Sequence, residues 1–166
     1  MSLISQYKAI QKNLSKLYDH QISCVRITDN FESFYFTVEP KEGLWQGGRY
    51  TFKANLKNYP NSAPQVQCIT NLIKHPNISS RSSGVCLSLI EDWKVSYGLD
   101  DLLQAILFLF YEPNFEDPLV PEFENCRATQ YIIEYSLKEQ ILERRAEEEA
   151  RVSLVQSLVS SIFSRF

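Results

Sequence analysis

Four short segments between residues 21 and 69 constrain the fold more than any other feature of this sequence. Each is rich in β-branched or aromatic residues and is bounded by Asn, Gly or Pro turns, a pattern typical of strands. The segments run over 21–28, 34–38, 50–56 and 65–69. Taken in this order, they predict a four-stranded antiparallel meander.

Helical patterns lie on either side of these strands. Residues 3–18 predict an amphipathic helix, because apolar side chains recur at spacings of three and four, at Tyr7, Ile10, Leu14 and Leu17. Residues 99–111 are apolar nearly all round and predict a buried central helix. Its first turn carries Asp100 and Asp101, where carboxylates interact favourably with the helix dipole.

A loop held by three prolines follows the central helix. Pro113, Pro118 and Pro121 restrict the backbone there, and a helical pattern resumes around Glu122. From about Thr129 to the end of the sequence we predict one long helix.

The end of that helix is predicted to form a separate extension. We divide the chain into a core domain over 1–145 and an amphipathic helical extension over 146–166. Its amphipathic pattern is predicted from the spacing of Val152, Val155, Val159, Ile162 and Phe166. The extension is either a partly frayed helix end or a segment that docks onto a partner helix or a membrane surface.

Composition excludes several classes of protein. The length of 166 residues suits one domain, and a hydrophobic content of 44% is enough for a core. A net charge of -3 argues against a nucleic-acid binder, which clusters Lys and Arg against phosphates. No segment approaches the roughly 18 apolar residues of a membrane span, and the N-terminus lacks the features of a signal peptide. We therefore expect the protein in the cytoplasm, the nucleus or both. We also expect a monomer.

The four cysteines divide into three that suit a core and one that does not. Their spacing offers no CxxC pair or histidine pattern for zinc, so we expect no metal site. The acyl-carrier chemistry described next also requires no cofactor. Cys24 and Cys68 lie in strand-like segments and Cys126 lies near a helix, which favours buried thiols. Cys86 lies instead in the irregular stretch 73–96, and long irregular stretches in compact domains are usually functional.

The chemistry of a lone thiol in such a loop suits an acyl carrier. A thiolate is both a nucleophile and a leaving group, so it can accept an acyl group from a thioester and pass it to an amine. A cysteine protease would need a base, but the only histidines are His20 and His75, and neither papain-like signature is present. Transfer to an amine is therefore favoured over hydrolysis.

Three strings in this region resemble the active-site segments of ubiquitin-conjugating enzymes. They are HPNI at 75–78, GVCL at 84–87 and EPNFEDPL at 112–119, and they occur in the same order as in that family. The resemblance extends to about residue 140. It implies an α+β fold of the UBC type, with an N-terminal helix, a four-stranded antiparallel sheet, an active-site loop, a central helix and C-terminal helices.

The resemblance implies three catalytic residues. Cys86 would carry the modifier as a thioester, and Asn77 would support the active-site loop and donate its amide to the oxyanion. Asp117 would position the attacking lysine and accept its proton. Two alternatives remain, since Asn77 could bond its own turn and Asp117 could cap a helix after Pro118. His75 is assigned to structure rather than to acid-base chemistry.

The resemblance also implies two docking surfaces. The first helix carries a basic face that would meet the activating enzyme, and its alternative role is a solvated surface; this face consists of Lys8, Lys12 and Lys16. Two loops would face a ligase, and they contain Tyr59, Pro60, Asn61, Trp93, Lys94 and Val95.

The chain departs from the family where Asn61-Ser62 replaces an aromatic residue and where Val95 replaces a proline. The segment from Asn77 to Cys86 is also one residue longer.

Further strings are similar to enzymes that conjugate a NEDD-type ubiquitin-like modifier to cullins. They include PQVQC at 64–68, EDWK at 91–94 and FYEP at 110–113. The implied partners are the modifier, an activating enzyme, a ring-type ligase and a cullin-type substrate. Three other functions remain open: conjugation of ubiquitin itself, a noncatalytic scaffold with the UBC fold, and an interaction protein that works through the extension.

Overall fold

The computed structural model describes residues 1–71, 73–79, 84–123 and 129–163, with all their side chains except those of 15, 17 and 163. Ten helices and strands are assigned there, together with a 3-10 turn at Pro121–Phe123. In chain order they are α1 Leu3–Leu17, β1 Ile22–Ile27, β2 Ser33–Val38, β3 Tyr50–Asn55, β4 Gln65–Cys68, β5 Ile78–Ser79, β6 Gly84–Val85, α2 Ser88–Glu91, α3 Leu99–Leu109 and α4 Thr129–Phe163.

Strands β1 to β4 form one sheet in sequence order, and every neighbouring pair is antiparallel. This confirms the predicted meander. Phe36 lies opposite Phe52, and Phe34 joins them in the core without exposure to solvent. Strand alternation gives these aromatic residues one common face. β5 and β6 form a separate two-stranded hairpin, in which Ile78 pairs with Val85 directly before Cys86.

Helix α3 buries one face rather than its whole circumference. At about 100° per residue, its buried positions share one side of the helix, and they are Leu99, Leu102, Leu103, Ile106 and Leu109. Phe108 lies opposite them and is 58% exposed. The predicted burial of this helix is therefore confirmed for the face towards the core and was wrong at Phe108. At the N-terminus, the Gly98 amide donates to Asp101 Oδ2 at 2.7 Å, which places the acidic first turn as predicted.

Among the cysteines that the structure describes, one differs from the sequence prediction. Cys68 is buried, as predicted, but Cys24 is exposed. The register of β1 against β2 shifts between Ser23 and Arg26, and Cys24 has a φ of 51°. A bulge of this kind breaks the alternation of inward and outward side chains, so Cys24 leaves the core. Cys126 lies outside the described residues.

Helix α4 begins on the core and then leaves it. Thr129, Ile133 and Ser136 are buried, and Arg144 is the last of its described residues with a partly buried side chain. Residues 145–162 are all exposed. The long helix predicted from Thr129 is confirmed to Phe163, whereas Phe166 lies outside the described residues. No helix in the described part of the chain is long and apolar enough to cross a lipid bilayer.

Candidate active site

A buried histidine fixes the start of the active-site loop. His75 is fully buried, and its ring stacks on Trp45 with the two centroids 4.3 Å apart. Its Nε2 lies 3.0 Å from the Leu109 carbonyl oxygen, to which it can only donate, and its Nδ1 accepts the Asn77 amide hydrogen at 3.0 Å. Burial lowers the pKa of His75 to about 3. The ring is therefore neutral near pH 7 with both nitrogens occupied, which suits a structural residue and not a general base.

Asn77 joins this loop to the proline-containing loop after α3. Its side chain is buried, with Nδ2 donating to the Asn114 carbonyl at 3.0 Å and Oδ1 accepting from the Asn114 amide at 2.8 Å. These partners are 37 residues away, so Asn77 does not merely bond its own turn. Its backbone carbonyl also accepts the Cys86 amide at 2.9 Å. The Nδ2 group has a second hydrogen, which is the one that an oxyanion would require.

Cys86 is a half-buried thiol beside two acids. It follows β6 directly, and its Sγ lies 3.6 Å from Glu91 Oε1. Burial, then the charge and hydrogen bond of Glu91, and then the charge of Asp117 all raise the pKa of the Cys86 thiol. A hydrolytic cysteine usually has a lowered pKa instead. Cys86 is therefore mainly a thiol at neutral pH, and not a preformed thiolate of the protease kind.

A second asparagine holds the loop that carries Asp117. Asn114 Oδ1 accepts the amide hydrogens of Glu116 and Asp117 at 3.0 and 3.1 Å. Asp117 is exposed, and it lies close enough to Cys86 for its charge to affect the thiol. The next helical turn begins only at Pro121, so Asp117 does not cap a helix that starts at Pro118.

Two residues of this site were missed by sequence reasoning. Glu91 reaches the thiol because α2 turns the chain by one helical turn directly after Cys86. Asn114 is visible in the string EPNFEDPL, but its partner Asn77 lies in another loop. The signal for Asn114 was a polar residue between two prolines of a constrained loop. The signal for α2 was a serine followed by two apolar residues shortly after Cys86.

Among the described residues, neither histidine is placed to act as a base for Cys86. His20, the other histidine of the chain, is exposed in the turn after α1. Within the described ranges, no group of three or more His, Cys, Asp or Glu side chains is arranged to hold a metal ion. A thiol, a braced amide and two nearby carboxylates remain, and these groups can support attack by an amine on a thioester.

A family model described as ubiquitin-conjugating enzyme matches residues 3–144. The chain belongs to the ubiquitin-conjugating enzyme family. Its fold agrees with that of the ubiquitin conjugating enzyme Pex4p of H. polymorpha, solved with the soluble domain of Pex22p. The TM-score is 0.70 at 18% identity, over 83% of this chain and 95% of that one. At this identity the likeness shows the UBC fold alone.

Relatives with higher identity carry more specific names. The NEDD8-conjugating enzyme ubc12 of Schizosaccharomyces pombe is 39% identical over 90 residues, which cover 53% of this chain and 50% of that protein. The Nedd8-conjugating enzyme UbcE2M of Drosophila melanogaster is 34% identical over 117 residues, covering 68% of this chain and 64% of that protein. The chain thus spans half of the first relative and less than two thirds of the second.

The three lysines predicted to contact an activating enzyme lie together on α1. Lys8, Lys12 and Lys16 are all exposed. They stand one helical turn apart, so their ammonium groups form a single basic face. The structure brings none of them into contact with the Cys86 site.

The two loops assigned to a ligase are joined to each other. Trp93 Nε1 donates to the Pro60 carbonyl at 2.8 Å, and the rings of Trp93 and Tyr59 are 5.9 Å apart. Val95 is 63% exposed, and Asn61 and Lys94 are exposed as well. A cleft of about 550 Å³ separates the end of these loops from α1, and its lining includes Pro60 and Val95. The six predicted residues therefore form one continuous surface.

Proposed function

We propose that this chain accepts a NEDD-type ubiquitin-like modifier as a thioester on Cys86 and transfers it to a lysine of a substrate. The residues over 1–145 form the catalytic core in this proposal, and 146–166 form an extension. The main support for this proposal is the arrangement around Cys86. The Asn77 side chain stabilises the loop that holds the thiol, and the thiol lies beside acids rather than beside the histidine base of a cysteine protease. The names of the relatives point to the modifier.

Loading is an exchange of one thioester for another. The Cys86 sulfur attacks the carbonyl carbon at the C-terminus of the modifier, which the activating enzyme carries as a thioester. A new carbon–sulfur bond forms as the Cys86 thiol loses its proton. The carbon–sulfur bond to the activating enzyme breaks, and the released thiolate takes up a proton. Because one thioester replaces another, little free energy is required. The raised pKa of Cys86 limits unwanted reactions of the free thiol before loading.

Discharge is the attack of a lysine amine on that thioester. The amine nitrogen bonds to the carbonyl carbon, negative charge develops on the oxygen, and the Cys86 thiolate then leaves. The remaining hydrogen of Asn77 Nδ2 is available to stabilise the oxyanion. Asp117 orients the incoming ammonium group and accepts its proton. Simple charge proximity would raise the pKa of the lysine, so orientation and proton acceptance are the useful roles of this carboxylate.

The partners proposed for this reaction are an activating enzyme, a ring-type ligase and a cullin-type substrate. Lys8, Lys12 and Lys16 would contact the activating enzyme, and the loops containing Tyr59 and Trp93 would contact the ligase. The exposed basic face of α1 and the joined loops support these assignments. The proposed location is the cytoplasm, the nucleus or both.

A single-turnover discharge experiment tests the transfer step. The chain is loaded on Cys86, activation is stopped, and the thioester is followed with and without free lysine. We expect lysine to accelerate the loss of thioester and to yield a lysine–modifier adduct. Loss at the same rate in both samples, with free modifier as the product, would indicate hydrolysis and would overturn the proposed transfer.

A further inference from the structure

The end of α4 has two faces, and neither carries a charge. Residues 152–163 contain no Asp, Glu, Lys, Arg or His. At about 100° per residue, all six apolar side chains with described positions fall within an arc of about 160°; they are Val152, Leu154, Val155, Leu158, Val159 and Ile162. The opposite side contains only serine and glutamine, at Ser153, Gln156, Ser157, Ser160 and Ser161.

The apolar face is open to solvent along its whole length. Its six side chains are between 45% exposed at Val159 and 62% exposed at Leu154. The core does not cover them, because every described side chain from residue 145 onward is exposed. Soluble monomers rarely expose contiguous apolar patches of this kind without a binding function.

We propose that this face binds the surface of a neutral lipid bilayer whose headgroups are loosely packed. The six apolar side chains insert between the acyl chains near the headgroups, and the serine face remains towards water. The helix lies in the plane of the bilayer, as an amphipathic interfacial helix does.

The absence of charge on the polar face determines which bilayer fits. Helices that bind anionic lipids carry Lys and Arg there, and their attraction weakens in salt. Here the polar face contains only serine and glutamine, and the preceding residues 143–151 have four glutamates against three arginines. Residues 152–163 therefore offer apolar insertion and no charge attraction to anionic headgroups. Insertion of this kind requires gaps between headgroups, which are larger in strongly curved bilayers.

The width of the apolar face disfavours a single partner helix. A coiled-coil seam uses two positions in seven, and charged residues beside it select the partner. The apolar arc of about 160° is wider than that seam. No charged side chain flanks it between 152 and 163. A flat apolar phase contacts the whole arc, whereas one helix would leave part of it exposed.

Vesicle flotation with the full chain tests this proposal. The probes are dioleoylphosphatidylcholine vesicles, either small and sonicated or large and extruded, and matching vesicles that contain phosphatidylserine. We expect binding to small neutral vesicles, weaker binding to large ones, no gain from phosphatidylserine and no release by salt. Leu158→Glu should reduce binding at least about tenfold, because burial of one leucine accounts for that much affinity. Ser160→Glu, with the same charge on the opposite face, should retain most of the binding.

Four results would overturn the proposal. The first is no flotation on small neutral vesicles. The second is flotation only on phosphatidylserine vesicles, with release by salt. The third is an equal loss of vesicle binding in Leu158→Glu and Ser160→Glu. The fourth is a concentration-dependent dimer in sedimentation velocity that Leu158→Glu abolishes, since the face would then be covered by a second copy of the chain. Circular dichroism of both variants shows whether helix content is preserved.

Discussion

Asn77 and Asn114 bind each other through two hydrogen bonds, although 37 residues separate them in the chain. Both bonds run between the Asn77 side chain and the Asn114 backbone. The backbone of Asn77 also accepts the Cys86 amide hydrogen. Through its backbone and its side chain together, one buried residue therefore fixes the position of Cys86 relative to the loop that carries Asp117.

Removal of the Asn77 amide should affect both stability and catalysis. Asn77→Ala removes two part-buried hydrogen bonds to Asn114, each of which contributes about 0.5–1.5 kcal/mol to the free energy of unfolding. We expect loading of Cys86 to persist and lysine discharge to slow by about a hundredfold if the amide stabilises the oxyanion. Urea unfolding and single-turnover discharge measure the two effects. The control is Asn61→Ala, at an exposed loop position; equal discharge rates in the two variants would remove the catalytic role of Asn77.

The position of Asp117 should depend on the side chain of Asn114. Asn114→Ala removes the two bonds that hold the amides of Glu116 and Asp117, but it leaves the backbone bonds to Asn77 intact. We expect slower lysine discharge with little change in stability. Asp117→Asn should slow discharge to a similar extent, and the double variant should be no slower than either single one. Additive losses in that cycle would show that Asn114 does not act through Asp117.

Glu91 should control the ionisation of the Cys86 thiol. Glu91→Gln removes a negative charge that disfavours the thiolate, so the pKa of Cys86 should fall and alkylation at a fixed pH should accelerate. The pH dependence of iodoacetamide labelling, measured in a Cys24→Ser background, gives the midpoint. Asp92→Asn removes the neighbouring charge and serves as the control. An unchanged or higher midpoint in Glu91→Gln would contradict the contact between Glu91 and the thiol.

His75 should make the fold sensitive to mild acid. Its pKa is about 3 in the folded chain and near 6.5 when exposed, so between these values only the unfolded state takes up the proton. This contribution to stability is complete above pH 6.5 and is lost by about 1.4 kcal/mol per pH unit as the pH falls towards 3.

Urea unfolding at a series of pH values measures this loss. In His75→Gln, which cannot titrate, the slope between about pH 6 and pH 5 should be smaller than in the original chain. The slope of the free energy of unfolding against pH reports the titration of His75. The absolute free energy also includes the packing that is lost when the imidazole ring is removed. The same slope in both proteins would show that another group is responsible.

Local patterns in the sequence were sufficient to predict most of the fold. Alternation and turn residues identified all four strands of the sheet, and proline spacing identified the loop around Asp117. The exposed Cys24 was not predictable, because it depends on a bulge in the backbone of β1. Phe108 was misjudged because an apolar composition does not tell which side of a helix meets the core.

The sequence predicted Cys86, Asn77 and Asp117 as residues of the site, but it did not predict their contacts. Cys86 followed from its irregular surroundings and from the family resemblance. The bonds from Asn77 to Asn114 and from Cys86 to Glu91 depend on tertiary geometry, which single-sequence patterns do not contain. The roles of Asn77 and Asp117 in catalysis stay predictions.

Loading of Cys86 is the most direct test of the proposed function. The chain is incubated with MgATP and, in separate reactions, with each activating enzyme and its modifier, either the NEDD-type protein or ubiquitin. A nonreducing gel then shows any adduct, and added thiol shows whether that adduct is a thioester. Cys86→Ser and Cys24→Ser serve as matched variants.

We predict a thiol-sensitive adduct with the NEDD-type modifier that Cys24→Ser retains and that Cys86→Ser replaces with a thiol-resistant oxyester. An adduct formed only with ubiquitin would keep the conjugating activity and overturn the assignment of the modifier. No adduct with either modifier, or an adduct that Cys86→Ser leaves unchanged, would contradict the central claim that Cys86 carries the modifier.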